Sequence, residues 1–219
     1  MTFNYTLLAD GPTDVSLLPI LNWLLINNGL LDQIEGKWAD HRRFSPIALE
    51  SLENKIMATL SLYSCDLLFI HRDAERGPRY RNTEKSYKYR LQEINTAVEI
   101  VKRSTVMVPN ICVIPIRMTE AWLLFDVYAI RRAAGNRNGT MSLTLPILRD
   151  LETLPNPKES LKYLLKIASG LRGRRLYDFP FEECVRQIPK YIDDFSPLRL
   201  LSAFRHLEDD IRKIIVELN

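Results

Sequence analysis

The sequence predicts an α/β fold, a mainly parallel sheet flanked by helices and followed by a C-terminal helical annex. Three observations predict it. Short apolar runs at 3–9, 66–71 and 111–114 each end in turn-forming or charged residues, stretches with helical spacing of apolar residues separate them, and nothing beyond Leu145 reads as a strand. Strands alternating with helices imply right-handed crossovers and parallel neighbours. Loops after such strands emerge at one carboxyl edge, where ligands bind.

Phe3 to Ala9 is short, apolar and bounded by Asp10-Gly11-Pro12, which reads as a buried strand ending in a turn. A helix follows, with Thr13 as its cap, Leu17, Leu18, Leu21, Leu24 and Leu25 at helical spacing, and Gly29 as its stop. Pro19 falls late enough to bend it. Residues 31–46 mix charges with Trp38 and have no clear period, whereas Ile47 to Tyr63 places Leu49, Leu52, Ile56 and Leu60 on one helical face. Asp66 to His71 is the second strand and breaks into Arg72-Asp73-Ala74-Glu75-Arg76-Gly77-Pro78. Thr83 to Arg103 is an amphipathic helix with Tyr87, Leu91, Ile94, Val98 and Val101 turned inward. Ile111 to Ile114 is the third strand, closed by Pro115, and Thr119 to Ala134 reads as one further helix capped by Thr119. Gly135-Asn136-Arg137-Asn138-Gly139 is the strongest turn cluster in the chain. A boundary there divides an α/β domain, 1–139, from a helical annex, 140–219, packed on it.

Composition excludes several classes. A chain of 219 residues, 46% apolar, supports one compact core with an appendage, neither a disordered protein nor two large domains. Three cysteines without C-x-x-C spacing suggest neither a disulfide framework nor a thiolate zinc cage, and fit a reducing cytoplasm. Leu17 to Ile26 is too short to cross a bilayer, and no basic region plus cleavage site precedes it, so the expectation is a soluble cytoplasmic protein with no membrane partner. There is no G-x-G-x-x-G, no P-loop and no G-x-S-x-G elbow, and His41, His71 and His206 lack H-E-x-x-H spacing.

The carboxylates are more informative. Asp10 and Asp14 flank the first strand-to-helix turn, while Asp73 and Glu75 lie just beyond the second strand. If both strands share one parallel sheet, these four acids meet at one edge. Hard oxygen ligands of this kind suit magnesium, which is held by one or two carboxylates and a substrate phosphate and polarises a phosphodiester. The same residues also have a structural use, with Asp10 capping a turn, Asp14 favouring the positive end of a helix, and Arg72 or Arg76 pairing with Asp73 or Glu75.

In chain order these residues carry a family resemblance. Leu8-Ala9-Asp10-Gly11-Pro12-Thr13-Asp14 resembles the opening E-G-x-[ST]-[DE] motif of Toprim domains, the metal-binding fold of topoisomerases, primases and overcoming-lysogenization-defect nucleases. Phe69-Ile70-His71-Arg72-Asp73-Ala74-Glu75 is similar to their D-x-D motif. Val113 to Leu124, with Pro115 closing a strand before Glu120-Ala121-Trp122-Leu123, resembles a compact Toprim-like bacterial family. The resemblance spans roughly residues 3–134. It implies acid-base chemistry at Asp10, magnesium or manganese at Asp10, Asp73 and Glu75 with Glu120 as a further candidate ligand, and support from Asp14. Two departures stand out: the opening acid is the shorter Asp10, and the position two before Asp73 is His71.

Charge is concentrated beside this site. Between Arg72 and Arg90 seven basic residues (Arg72, Arg76, Arg79, Arg81, Lys85, Lys88, Arg90) face three acids, a local +4 against +3 for the whole chain, so the remainder sums to −1. Tyr80, Tyr87 and Tyr89 are interleaved. Backbone phosphates of DNA or RNA are the functional partner of such a stretch, and a solvated helix face is the structural one. Together with the resemblance this leads to the expectation of a magnesium-dependent nuclease in bacterial phage defence, working with a partner ATPase, with a second copy of the chain among the candidate partners. The alternatives are a catalytically degenerate binding subunit and a phosphatase-like enzyme on a small substrate.

Overall fold

The computed structural model describes residues 2–74 and 83–218. Four strands, β1 (Thr2–Leu8), β2 (Gln33–Trp38), β3 (Leu67–His71) and β4 (Asn110–Val113), form an all-parallel sheet in the order β2-β1-β3-β4. Helix α1 (Leu17–Asn27) connects β1 to β2, α2 (Leu52–Leu62) carries the chain over β1 to β3, and α3 (Thr83–Lys102) leads on to β4. The crossover after β1 runs one way and the crossover after β3 runs the other. Their loops diverge and leave a crevice between the carboxyl ends of two hydrogen-bonded neighbours, the position where open α/β sheets bind ligands.

Strand β2 lies in the stretch where the sequence has no period. It is an edge strand with Gln33, Glu35 and Lys37 exposed, and charge on an edge strand blocks pairing with other chains. Its inner face holds Gly36 because the Tyr5 ring lies against it; a Cβ there would stand 2.3 Å from Tyr5 Cζ. The first helix also begins differently from the sequence reading. A 3-10 turn over Pro12–Ser16 precedes α1, Gly11 rather than Thr13 is its cap, and the Asp14 carboxylate accepts the Gly11 N–H at 2.9 Å. Pro19 thus falls in the first turn of α1, where its missing N–H costs nothing. The single helix expected over Thr119 to Ala134 is divided into a 3-10 turn, Thr119–Leu123, and α4, Val127–Ala133. Asp126 makes the break by accepting the Ala129 N–H at 2.8 Å as the N-cap of α4.

The two faces of the sheet are buried by different parts of the chain. Leu8, Leu68 and Ile70 pack against Ile56 of α2 and Ile94, Val98 and Val101 of α3. Tyr5, Leu7 and Phe69 pack against α1 and against the C-terminal elements, α5 (Pro157–Ser169), α7 (Phe181–Gln187) and α8 (Ser202–Leu218) with their connections, while the short α6 (Arg174–Tyr177) buries no residue. Phe195, Phe204 and Ile211 from that segment belong to the same core cluster as Tyr5 and Leu7. No helix among the described residues is long and apolar enough to cross a membrane.

Candidate active site

The crevice between β1 and β3 gathers acids from three loops. After β1, Asp14 is held in the Pro12–Ser16 turn and is 8% exposed, while Asp10 reaches outward. After β3 comes Asp73, and after β4 come Thr119 and Glu120, both buried. The loops after β3 and β4 are tied to each other, because Ala74 donates to Pro115 O at 3.0 Å and Arg117 donates to Ala74 O at 3.3 Å. Asp73 Oδ1 accepts the Thr119 N–H at 2.9 Å. The Thr119 hydroxyl stands 3.1 Å from His71 Nε2, 3.4 Å from Asp73 Oδ1 and 3.5 Å from Asp14 Oδ1. His71, the last residue of β3 and 2% exposed, lies between the two aspartates, with Nε2 at 3.2 Å from Asp73 Oδ1 and Nδ1 at 3.6 Å from Asp14 Oδ2.

Asp10 is paired instead with cations. It accepts from Arg72 Nη1 at 2.5 Å and from Lys55 Nζ of α2 at 3.3 Å. Arg72 also donates to Glu93 of α3 at 2.7 Å, and Arg90 donates to Glu93 at 2.7 Å and to the Asp73 carbonyl at 3.0 Å. Arg72, read from the sequence as a phosphate contact, thus turns inward to brace the site. Lys85 and Lys88 are exposed on α3, with Lys88 pairing to Glu84. Glu75, Arg76, Arg79 and Arg81 lie outside the described residues.

These surroundings split the acids electrostatically. Burial pushes Asp14 above the usual carboxylate range by more than His71 and the Gly11 N–H lower it, and the charges of Asp73 and Asp10 add to the rise. Glu120 is raised by burial and by Asp73 and Asp14. Asp10 goes the other way, since Arg72 and Lys55 outweigh its burial and lower it. Burial alone would lower His71, but the hydrogen bond and charge of Asp73, with Asp14 and Asp10 behind it, raise it and favour the imidazolium.

Sequence reading passed over several of these residues. Thr119 and Arg117 fall within the Val113 to Leu124 motif without a role of their own there, and nothing in the sequence marks Glu93 or Lys55. Arg117 is 4% exposed and has a φ of 73°, the one non-glycine residue at positive φ among those described. Left-handed backbone at a buried arginine is strained and concentrates at functional sites. Its signal in the sequence was its place just after a strand closed by Pro115.

Carboxylates on three adjacent loops have the chemistry that could hold magnesium or manganese, and the burial and like charge that raise Asp14 and Glu120 are what a bound cation relieves. Among the described residues no three metal-ligating side chains stand ready-assembled. His71 and Thr119 fill the space between Asp14 and Asp73, and Arg72 with Lys55 holds Asp10. Fold and site together define a parallel α/β protein with an acidic crevice at its topological switch point. The chain matches no family model, no curated protein and no solved structure.

Proposed function

We propose that the protein is a Toprim-type, magnesium-dependent nuclease cleaving DNA or RNA phosphodiesters in the β1–β3 crevice, and that it serves bacterial phage defence beside a partner ATPase. The observation that carries this reading is the convergence of Asp10, Asp14, Asp73 and Glu120 at the switch point, with Asp14 and Glu120 raised first by burial and further by the charge of Asp73. The motif resemblance supplies the reaction class. A divalent ion held by Asp73 and Asp10, with Glu75 or Glu120, would polarise the phosphodiester and stabilise its leaving oxygen. For Asp10 this means exchanging Arg72 and Lys55 for the ion, and the two freed cations are then available to the phosphate. Asp14 is better suited than Asp10 to carry a proton, since its surroundings favour the neutral acid. Arg90 and Glu93 position Arg72.

The test is cleavage of single-stranded DNA, duplex DNA and RNA with magnesium or manganese, for wild type and Asp73→Asn. Metal-dependent cleavage lost in Asp73→Asn at unchanged melting temperature is the expected result. Cleavage indifferent to Asp73→Asn removes the reading.

A second reading is a non-catalytic nucleic-acid-binding subunit. It is favoured by the internal cations, His71 between Asp14 and Asp73 and Arg72 with Lys55 on Asp10, which neutralise the acids without a metal. Calorimetric titration of manganese separates the two, because binding gained only in His71→Asp favours the subunit.

A further inference from the structure

A cavity of about 430 Å³ opens on the β2 side of the acid site and shares Asp10 with it. Pro12, Val15 and the Trp38 ring supply its apolar lining, and Asp10, Asp40, His41, Arg42 and Arg186 of α7 its polar lining. Its walls are fixed by the fold. Trp38 ends β2 in register with Leu7 of β1, and Ala39 donates to Leu7 O at 2.9 Å. The Asp40 N–H donates to the Tyr63 hydroxyl at 3.0 Å, and the Asp40 carboxylate caps the next turn and grips Arg42 at 2.7–3.0 Å. His41 lies between Trp38 and Phe44, its ring centroid 6.5 Å from the first and 5.1 Å from the second, with the planes tilted by 32° and 36°. Trp38 Nε1 and His41 Nε2 are buried and have no hydrogen-bond partner among the described residues. Burial and the Lys55 charge lower the His41 pKa, and its ring adds aromatic surface to the lining.

We propose that this cavity binds one unpaired nucleobase of a single-stranded nucleic acid whose phosphate lies in the acidic crevice. The inference rests on the nuclease or nucleic-acid-binding reading of that crevice and narrows its substrate to single strands. The volume falls within the range of small-ligand sites, and the mix of indole, imidazole and two guanidinium groups is that of a base-stacking platform with phosphate contacts. Strand spacing sets the distance. The cavity lies at the β1–β2 edge and the acids at the β1–β3 edge, so base and phosphate sites are roughly one strand spacing, ~4.8 Å, apart. A base that enters a pocket between protein rings has left its stack, which a duplex resists and a single strand permits.

The experiment measures binding of five-nucleotide DNA and RNA oligomers, and of the same sequences as duplexes, to protein carrying Asp73→Asn in the presence of EDTA, by fluorescence anisotropy. Trp38→Ala is expected to weaken single-strand binding at least ten-fold and leave duplex binding unchanged, while Trp38→Phe restores most of it. His41→Ala, one ring further back, should cost less and serves where Trp38→Ala lowers the melting temperature. Equal affinity of wild type, Trp38→Ala and His41→Ala for single strands, or a preference for duplex in all three, overturns the inference. Trp38-dependent binding in a protein that cleaves nothing with metal keeps the base site and removes the nuclease. Cleavage indifferent to Trp38→Ala keeps the nuclease and removes the base site.

Discussion

Glu208 on α8 and Asp14 after β1 are both buried carboxylates, 3% and 8% exposed, and their surroundings act on them in opposite directions. Glu208 accepts from Arg199 Nε at 2.9 Å, from Arg199 Nη2 at 2.6 Å and from Asn28 Nδ2 at 3.2 Å, with Arg212 at 3.4 Å. Burial raises its pKa, but these partners together hold it below the usual range. Asp14 has one backbone N–H, the Thr119 hydroxyl at 3.5 Å, an imidazole at 3.6 Å and two like-charged neighbours, and burial raises it. A carboxylate that joins α8 to the end of α1 is satisfied for stability. One in a crevice at the switch point is left short of partners, which is the state that favours a ligand or a proton.

Five variants and one pH titration can break or sharpen this contrast, taken from the largest expected effect to the smallest. Asp73→Asn should cost cleavage more than the roughly 100-fold that loss of an outer metal partner costs, with the melting temperature little changed. Activity kept, or a melting temperature that collapses, would make Asp73 a structural residue like Glu208. Glu208→Gln should destabilise by about 2 kcal/mol, less than the ~3–5 of a fully buried pair because the Arg199 side chain is 42% exposed. In a chain of this size that lowers the melting temperature by roughly 4–8 °C. Asp14→Asn should have the opposite sign, with stability unchanged or higher by up to about 1 kcal/mol, since it removes a charge that burial and two like-charged neighbours disfavour. A loss matching that of Glu208→Gln would erase the contrast.

The pH dependence differs between the regions too. The folded state raises His71, so the stability it contributes is fully present below the unfolded histidine value and is lost as pH rises through the higher folded value. Glu208 is lowered, so its contribution is present above the unfolded glutamate value and is lost as pH falls toward the folded one. Melting temperatures across pH 3 to 9 should therefore lose their alkaline-side decline in His71→Gln and part of their acid-side decline in Glu208→Gln; an unaltered alkaline limb in His71→Gln would show that the imidazolium is not held by Asp14 and Asp73. The smallest effect belongs to the basic stretch. Replacing Arg76, Arg79 and Arg81 with alanine should weaken DNA and RNA binding evenly across sequences and flatten the logarithmic salt slope by up to ~2.7, about 0.9 per lost phosphate contact. A slope equal to wild type would leave that stretch as a solvated face.

Three of the four strands were legible in the sequence because they are buried, so that runs such as Leu67 to Ile70 are apolar without interruption. The edge strand β2 was not, since its exposed face carries Gln33, Glu35 and Lys37 and its inner face had to yield a side chain at Gly36 to the Tyr5 ring. The placement of Asp10, Asp14 and Asp73 just after strands was likewise visible along the chain. Strand order was not, and it is the pairing of β1 with β3 that makes those acids neighbours. The division of the Thr119 to Ala134 pattern was hidden because Asp126 sits amid apolar spacing that suits one helix as well as two. Local periodicity reports which residues are buried, one element at a time. The charge state of His71, the release of Asp14 toward its neutral form and the satisfaction of Glu208 by Asn28 depend on groups brought together from distant parts of the chain, and only the tertiary structure decides those distances.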